Sequence, residues 1–191
     1  MHPNVIVHTT ISLDTAFTGF AIDLERHYAV LMSFEPDAVL TGSASAAASI
    51  DAAPWRFPPE EASDRQRSTL RPGDRRPVGV FVDSGGVLKD RLHFFRRLEH
   101  IRDVIVLVAD ETPQEYLDYL AEREYPFIRC GRNRVDLRSA VRRLADEHAL
   151  SCIVSDSGGA LTGALLEEGI AGEISLIVSP GNRGRPAEKA V

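Results

Sequence analysis

Residues 152–169 read CIVSDSGGALTGALLEEG. A short apolar run, Cys152 to Val154, meets an acid, a serine and two glycines. A helix-like stretch, Leu161 to Glu167, follows at once. This pattern puts Asp156, Ser157, Gly158, Gly159, Ala160 and Leu161 where a strand ends and a helix begins. The unpaired N–H groups and dipole of a helix N-terminus favour an anion. Glycine lets a phosphate come close to the main chain. The same residues also make an ordinary capped turn, with Ser157 as N-cap and the glycines supplying the geometry. The stretch is not the dinucleotide-binding fingerprint and has no P-loop lysine. Its strand–turn–helix character is clear, and its purpose stays open between anion seat and plain turn.

The rest of the chain repeats that unit. Val5–Ile11, Ala38–Leu40, Val78–Val82, Val104–Val108, Ser151–Val154 and Ile174–Val178 are short β-branched runs, with a weaker one at Phe127 and Ile128. Runs that are apolar on both faces predict a sheet covered on both sides. Helical spacing lies between them: Asp23 to Phe34, Tyr116, Leu117 and Leu120 after Thr112-Pro113, and Leu137, Val141, Leu144 and Ala145 after an N-cap at Asp136. Strands alternating with helices predict an α/β domain built on a mostly parallel sheet. With 191 residues, a single domain over 1–180 is expected. Residues 53–77, rich in Pro, Arg and acids, read as one long loop that Trp55 and Phe57 pin to the body. Residues 181–191 read as a frayed tail.

Three further strand ends resemble the first. Thr41-Gly42-Ser43-Ala44-Ser45, leading on to Ser49, offers hydroxyls and backbone donors, or simply starts an Ala-rich helix. Asp83-Ser84-Gly85-Gly86-Val87 follows the strand at Val78–Val82 and also reads as a turn. Asp14, after Ser12-Leu13, is placed to orient a polar substrate or relay a proton, or is an acid in a surface turn. In a parallel sheet such ends share one edge, where open α/β sheets bind ligands.

The net charge of −6 argues against nucleic acid as a partner. Cys130 and Cys152 sit among apolar residues and read as buried thiols rather than a disulfide or metal site. The six histidines show no metal-ligand spacing and read as surface or satisfied core residues. No Ser/His/Asp or Cys/His pattern stands out. The arginines between Arg129 and Arg143 mostly fall on the polar side of a helix. No secretory leader or membrane span is visible, and a cytoplasmic location is expected.

Taken in order, these corners resemble the pyrimidine reductases of riboflavin biosynthesis, which have the dihydrofolate reductase fold. The family's S-L-D-G corresponds to Ser12-Leu13-Asp14-Thr15, and its D-A-I/V-x-x-G-x-G-T to Asp37 through Ser45. R-P-V-x-I/V-V-V-D-S corresponds to Arg76 through Ser84, and C-G-x-x-x-V-D-L to Cys130 through Leu137. E-G-G-G-x-L corresponds to Asp156 through Leu161. The likeness runs from the first strand to about Pro180. It implies a central mostly parallel mixed sheet with helices on both faces, NADPH as cofactor, a homodimer, and reduction of a ribosylaminopyrimidine 5'-phosphate to its ribitylamino form.

On this resemblance Ser45 and Ser49, with Thr41 and Gly42, contact the cofactor's phosphate side. Ser84, Gly85, Gly86 and Val87 line its adenosine part, and Asp156 through Leu161 hold the pyrophosphate. Asp14 is the catalytic residue, facing nicotinamide and substrate, and Ser12 and Ser33 join it in the substrate site. The chain departs from the family at Thr15 (usually glycine), Ser45 (threonine), Ser49 (an acid), Gly172 (aspartate) and Ser33, where an arginine is usual. These departures bear on substrate more than on cofactor. They leave open a reductase of the same fold with another substrate, or a non-catalytic nucleotide-binding protein.

Overall fold

The computed structural model describes residues 3–53, 57–67, 70–71 and 73–181. Seven strands and six helices alternate along the chain. They are β1 (Asn4–Ser12), α1 (Leu24–Ser33), β2 (Ala38–Gly42), α2 (Ser43–Asp51), β3 (Val78–Val82), α3 (Leu92–Arg96) and β4 (Asp103–Val108). Then come α4 (Gln114–Glu122), β5 (Phe127–Arg129), α5 (Leu137–His148), β6 (Cys152–Asp156), α6 (Gly159–Glu167) and β7 (Glu173–Ser179). The sheet runs β5-β4-β3-β2-β6-β1-β7. Every pairing among the described residues is parallel, so the mixed character expected from the resemblance is not seen there.

The period of two along each strand sorts the core into layers. Val5, Val7, Ala38, Leu40, Val78, Val80, Ile105 and Leu107 point to one face, where α5 and α6 cover them in a single cluster. On the other face the core is split. Ile6 and Val154 pack under Leu31 of α1. Phe81, Val104, Val106 and Val108 pack under α2, α3 and α4. Between these two clusters lies a cavity over β2, where Val39, Thr41 and Gly79 form the floor. A Cβ on Gly79 would stand 3.2 Å from the Phe81 ring, close enough that the ring would have to shift.

Capping follows the sequence where it was readable. Asp136 accepts from Ser139 N at 2.9 Å at the start of α5, and Asp23 accepts from Arg26 N at 3.0 Å at the start of α1. The second strand end resolves as a true helix, α2, directly after Gly42. Coverage on both sides fails at β7: Ile174, Leu176 and Val178 on this edge strand stay about half exposed. Cys130 and Cys152 are free thiols, each half-buried.

The described residues of the stretch at 53–77 are held to the body at several points. A 3-10 turn, Ala62–Arg65, sits in it. Phe57 packs edge-on against His93 at 5.0 Å, while Trp55 and residues 182–191 lie outside the described residues. Arginines from the body clamp the segment: Arg97 Nε donates to Asp64 Oδ1 at 2.8 Å and Arg123 Nε to Glu60 Oε1 at 2.6 Å. The Arg97 hydrogen bonds hold the buried Asp64 carboxyl below its usual range, against the opposing effect of burial. A lowered folded pKa means stability that is present above the unfolded value, near pH 4, and is lost as pH falls through the folded one. Asp64→Asn is therefore expected to cost about 1–3 kcal/mol at pH 7, the range for truncating a buried charge-assisted hydrogen bond. The difference from wild type should shrink toward pH 3, which urea unfolding at both pH values reads directly.

Candidate active site

β2 and β6 are neighbours, and the helices that follow them leave on opposite faces. Ala46 and Ile50 of α2 join the cluster with Phe81, whereas Leu161 and Leu165 of α6 join the other. Such a reversal opens a crevice outside the carboxyl ends of the strands, the usual ligand position in an open parallel sheet. Here it brings the N-termini of α2 and α6 together. Neither terminus has a side-chain cap. Their first-turn N–H groups therefore face the crevice without a protein acceptor from the cap.

Three hydrogen bonds among four hydroxyl and backbone groups tie the two corners. Gly42 N donates to Ser157 Oγ at 3.1 Å, Gly158 N donates to Ser45 Oγ at 2.9 Å, and the two hydroxyls meet at 3.2 Å. Gly42 must stay small, because a Cβ there meets Ser157 Oγ at 3.1 Å. Beside this tie the surface is open: a Cβ on Gly159 meets nothing within 4 Å. Paired positive helix ends with open space before them suit a pyrophosphate.

The cavity over β2 has a volume of about 490 Å³ and reaches this corner. Thr41, Ser45, Ser49, Asp156, Ser157 and Gly158, all expected from the sequence, lie on its wall. Ala160 is exposed in the first turn of α6, and Leu161 contributes only backbone, its side chain being in the core. Other expected residues lie elsewhere. Asp83 is fully buried and spends its carboxylate on Val87 N and Leu88 N, both at 2.9 Å. Ser84 Oγ accepts from Val135 N at 3.2 Å, and Gly86, at φ +73°, lies against the Tyr116 ring. Ser84, Gly85, Gly86 and Val87 thus form a turn outside the cavity lining, with Gly85 and Val87 exposed.

Asp14 also lies off the cavity wall, in the exposed turn after β1, where it accepts from Ser12 Oγ at 2.5 Å. Ser12 is buried, and its oxygen accepts from Ala16 N at 2.9 Å as well. Thr15, in the family's glycine place, takes φ +63°. Ser33 is exposed and donates to Val30 O at 2.6 Å in the last turn of α1. Met32 and Leu31, not Ser33, reach the cavity.

The wall carries a polar group that the sequence pattern did not single out. His27 of α1 is buried. Its Nε2 lies 3.1 Å from Asp156 Oδ1 and its Nδ1 lies 2.9 Å from Thr10 Oγ1. The His8 ring lies against it, tilted, with the ring centres 4.4 Å apart. Tyr28 lies beside the same carboxylate, and burial together with the Asp156 charge pushes its phenol up to about 12. Two signals were available. His8 and Thr10 interrupt an apolar strand on its inner face, and His27 precedes Leu31 by one helical turn, on the buried stripe of α1. Buried polar groups need partners, and partners imply a cluster.

A parallel sheet with helices on both faces is the fold this chain shares with solved reductases of the dihydrofolate reductase-like class. The RibD C-terminal domain model matches residues 3–190, and the chain belongs to that family. Among solved structures it is similar to RibD of Acinetobacter baumannii (TM-score 0.61, 19% identity), covering 100% of this chain and 50% of that one. It is similar to a pyrimidine reductase-like protein of Corynebacterium diphtheriae (TM-score 0.68, 15% identity, 94% of this chain and 75% of that one). The riboflavin biosynthesis reductase Rib7 of Saccharomyces cerevisiae also matches (TM-score 0.62, 16% identity, 98% and 80%). At these identities the likeness is one of fold. The chain spans about half the length of the Acinetobacter protein. Among the described residues no helix is long and apolar enough to cross a membrane, and no cluster of His, Cys, Asp and Glu is able to hold a metal ion.

Proposed function

We propose that this protein is an NADPH-dependent reductase that converts a ribosylaminopyrimidine 5'-phosphate to its ribitylamino form in riboflavin biosynthesis. The observation that carries this reading is the pair of helix N-termini without side-chain caps, α2 and α6, beside a cavity of about 490 Å³. Family membership supports it. NADPH, when bound, supplies the hydride. The chain's own part is to seat the pyrophosphate at Gly42, Ser45, Ser157 and Gly158, to orient the sugar, and to exclude water from the reacting carbon.

One observation favours a second reading, a reductase of the same kind whose substrate lacks a phosphate. The cavity's far wall is made by Phe17, Ile22, Leu24, Met32 and Leu98, and no lysine or arginine lines it among the described residues. Incubation with NADPH and the phosphorylated substrate, followed by mass spectrometry, should give a product heavier by two hydrogens. Faster turnover of the dephosphorylated compound would favour the second reading, and no turnover of either would refute both.

We also place the protein in the cytoplasm as a homodimer. The open edge of β7, with Ile174, Leu176 and Val178 half exposed, supports association of two copies. Sedimentation at micromolar concentration tests this, and a monomer there would contradict it.

A further inference from the structure

Reduction of a cyclic glycosylamine consumes one proton as well as one hydride, and the cavity wall contains a hydrogen-bonded chain able to deliver it. We propose that Thr10, His27 and Asp156 form the proton-delivery relay of this reductase. In that relay Thr10 is the donor to substrate, His27 the proton carrier, and Asp156 the carboxylate that positions the imidazole. The proposal rests on the reductase reading above and adds a role for residues which that reading leaves unused.

The geometry assigns the direction. All three side chains lie on the cavity wall. A carboxylate only accepts, so at 3.1 Å from Asp156 Oδ1 the His27 Nε2 carries a hydrogen. Nδ1 is then the nitrogen that gains and loses the mobile proton, and it faces Thr10 Oγ1 at 2.9 Å. A hydroxyl can donate and accept at the same time, which lets Thr10 pass a proton on without becoming charged. Asp156 is a half-buried residue at the end of β6, next to the anion seat at Ser157 and Gly158. The relay therefore borders the place where the cofactor's phosphates would sit.

The neighbours of His27 leave it as the carrier. The titratable groups that face it are His8 from β1, Asp156 from β6 and Tyr28 from its own helix. His8 is fully buried, gives its Nε2 hydrogen to the His27 carbonyl oxygen at 3.1 Å, and meets Ser175 Oγ through Nδ1 at 3.0 Å. Burial first, and His27 second, hold His8 below the usual imidazole range, and His8 does not line the cavity as His27 does. Tyr28 keeps its proton at neutral pH.

The step balances as follows. The bond between C1' and the ring oxygen breaks, and its electron pair goes to that oxygen, which takes the hydroxyl proton of Thr10. Thr10 oxygen takes the Nδ1 proton of His27, leaving neutral imidazole with its hydrogen on Nε2. The amine lone pair forms a C1'=N bond. C1' then accepts a hydride, and the π pair returns to nitrogen. Water reprotonates His27 for the next turnover.

The test combines one measurement without cofactor and one with it. In the ligand-free protein, long-range ¹H–¹⁵N spectra of the histidine rings should show neutral His27 protonated on Nε2; an Nδ1–H tautomer would overturn the relay. With NADPH and the phosphorylated substrate, Thr10→Val should lower kcat/KM by about 100-fold or more, the usual scale for general-acid catalysis. Its NADPH affinity should stay within about twofold of wild type, and Thr10→Ser should recover most of the rate. His27→Gln, which cannot carry the proton, should lower kcat/KM to an extent similar to Thr10→Val. Should Thr10→Val not fold, Thr10→Ala carries the same expectation. Full turnover in the folded Val or Ala variant overturns the relay and leaves the reductase reading intact, whereas a wild type without turnover overturns both.

Discussion

Gly158→Asp is expected to weaken NADPH binding by at least about 100-fold, close to 2.7 kcal/mol, while leaving the protein folded. Gly158 is the N-cap of α6, with φ −70° and ψ 178°, a conformation any residue adopts. Aspartate is among the best N-cap residues, so the melting temperature should hold or rise. The new Cβ stands 3.3 Å from Ser45 Oγ, close enough to disturb the tie between the two corners. The carboxylate would occupy the positive end of the helix that a pyrophosphate needs, and would repel it. Gly158→Asn, which brings similar bulk without charge, separates the two causes: it should lose less affinity. Unchanged affinity in Gly158→Asp would mean that the cofactor's phosphates sit elsewhere.

Gly131→Ala is expected to have the largest effect on stability, about 3 kcal/mol or more, lowering the melting temperature by on the order of 10 °C. Gly131 lies just after β5 at φ +85°, in the left-handed region. A Cβ there would stand 2.1 Å from the Arg134 carbonyl oxygen and 2.6 Å from Asp136 N. Both contacts are with backbone, so no side chain is able to swing away. The chain curls back at this point: Asp136 N donates to Cys130 O at 3.2 Å and Asp110 N to Gly131 O at 2.9 Å. That curl sets the entry to α5, whose Leu137, Ala140, Val141 and Leu144 complete the continuous core face. Differential scanning calorimetry of the variant checks the size of the effect, and a shift of less than about 2 °C would contradict the close packing.

The layers of this fold were legible in the sequence because the strands are buried on both faces and announce themselves as β-branched runs. Val78–Val82 matches β3 at both ends. Helix starts were legible where a carboxylate caps them, as at Asp136 and Asp23. The small helix α3 and the 3-10 turn at Ala62–Arg65 were not, because their order comes from arginine clamps and aromatic contacts across the chain rather than from local periodicity.

The site was legible in part. Small residues at the ends of β2 and β6 marked the corner where the two helix N-termini meet, since small residues where backbones approach closely leave a local trace. The similar corner after β3 carries the same trace, and there Asp83 and Gly86 build a turn packed on Tyr116. His27 and Thr10, 17 positions apart, meet Asp156 only because β1 and β6 are neighbours and α1 lies across them. Nothing in the spacing of the three residues announces that meeting.

On the function proposed above, the paired ends of α2 and α6 seat a nicotinamide dinucleotide. Titration of the wild-type protein with NADPH, followed by the change in nicotinamide fluorescence and by calorimetry, tests it most directly. Saturable binding at micromolar concentration with one site per chain, lost in Gly158→Asp, is the predicted result. No saturable binding up to millimolar NADPH in folded wild-type protein would contradict it.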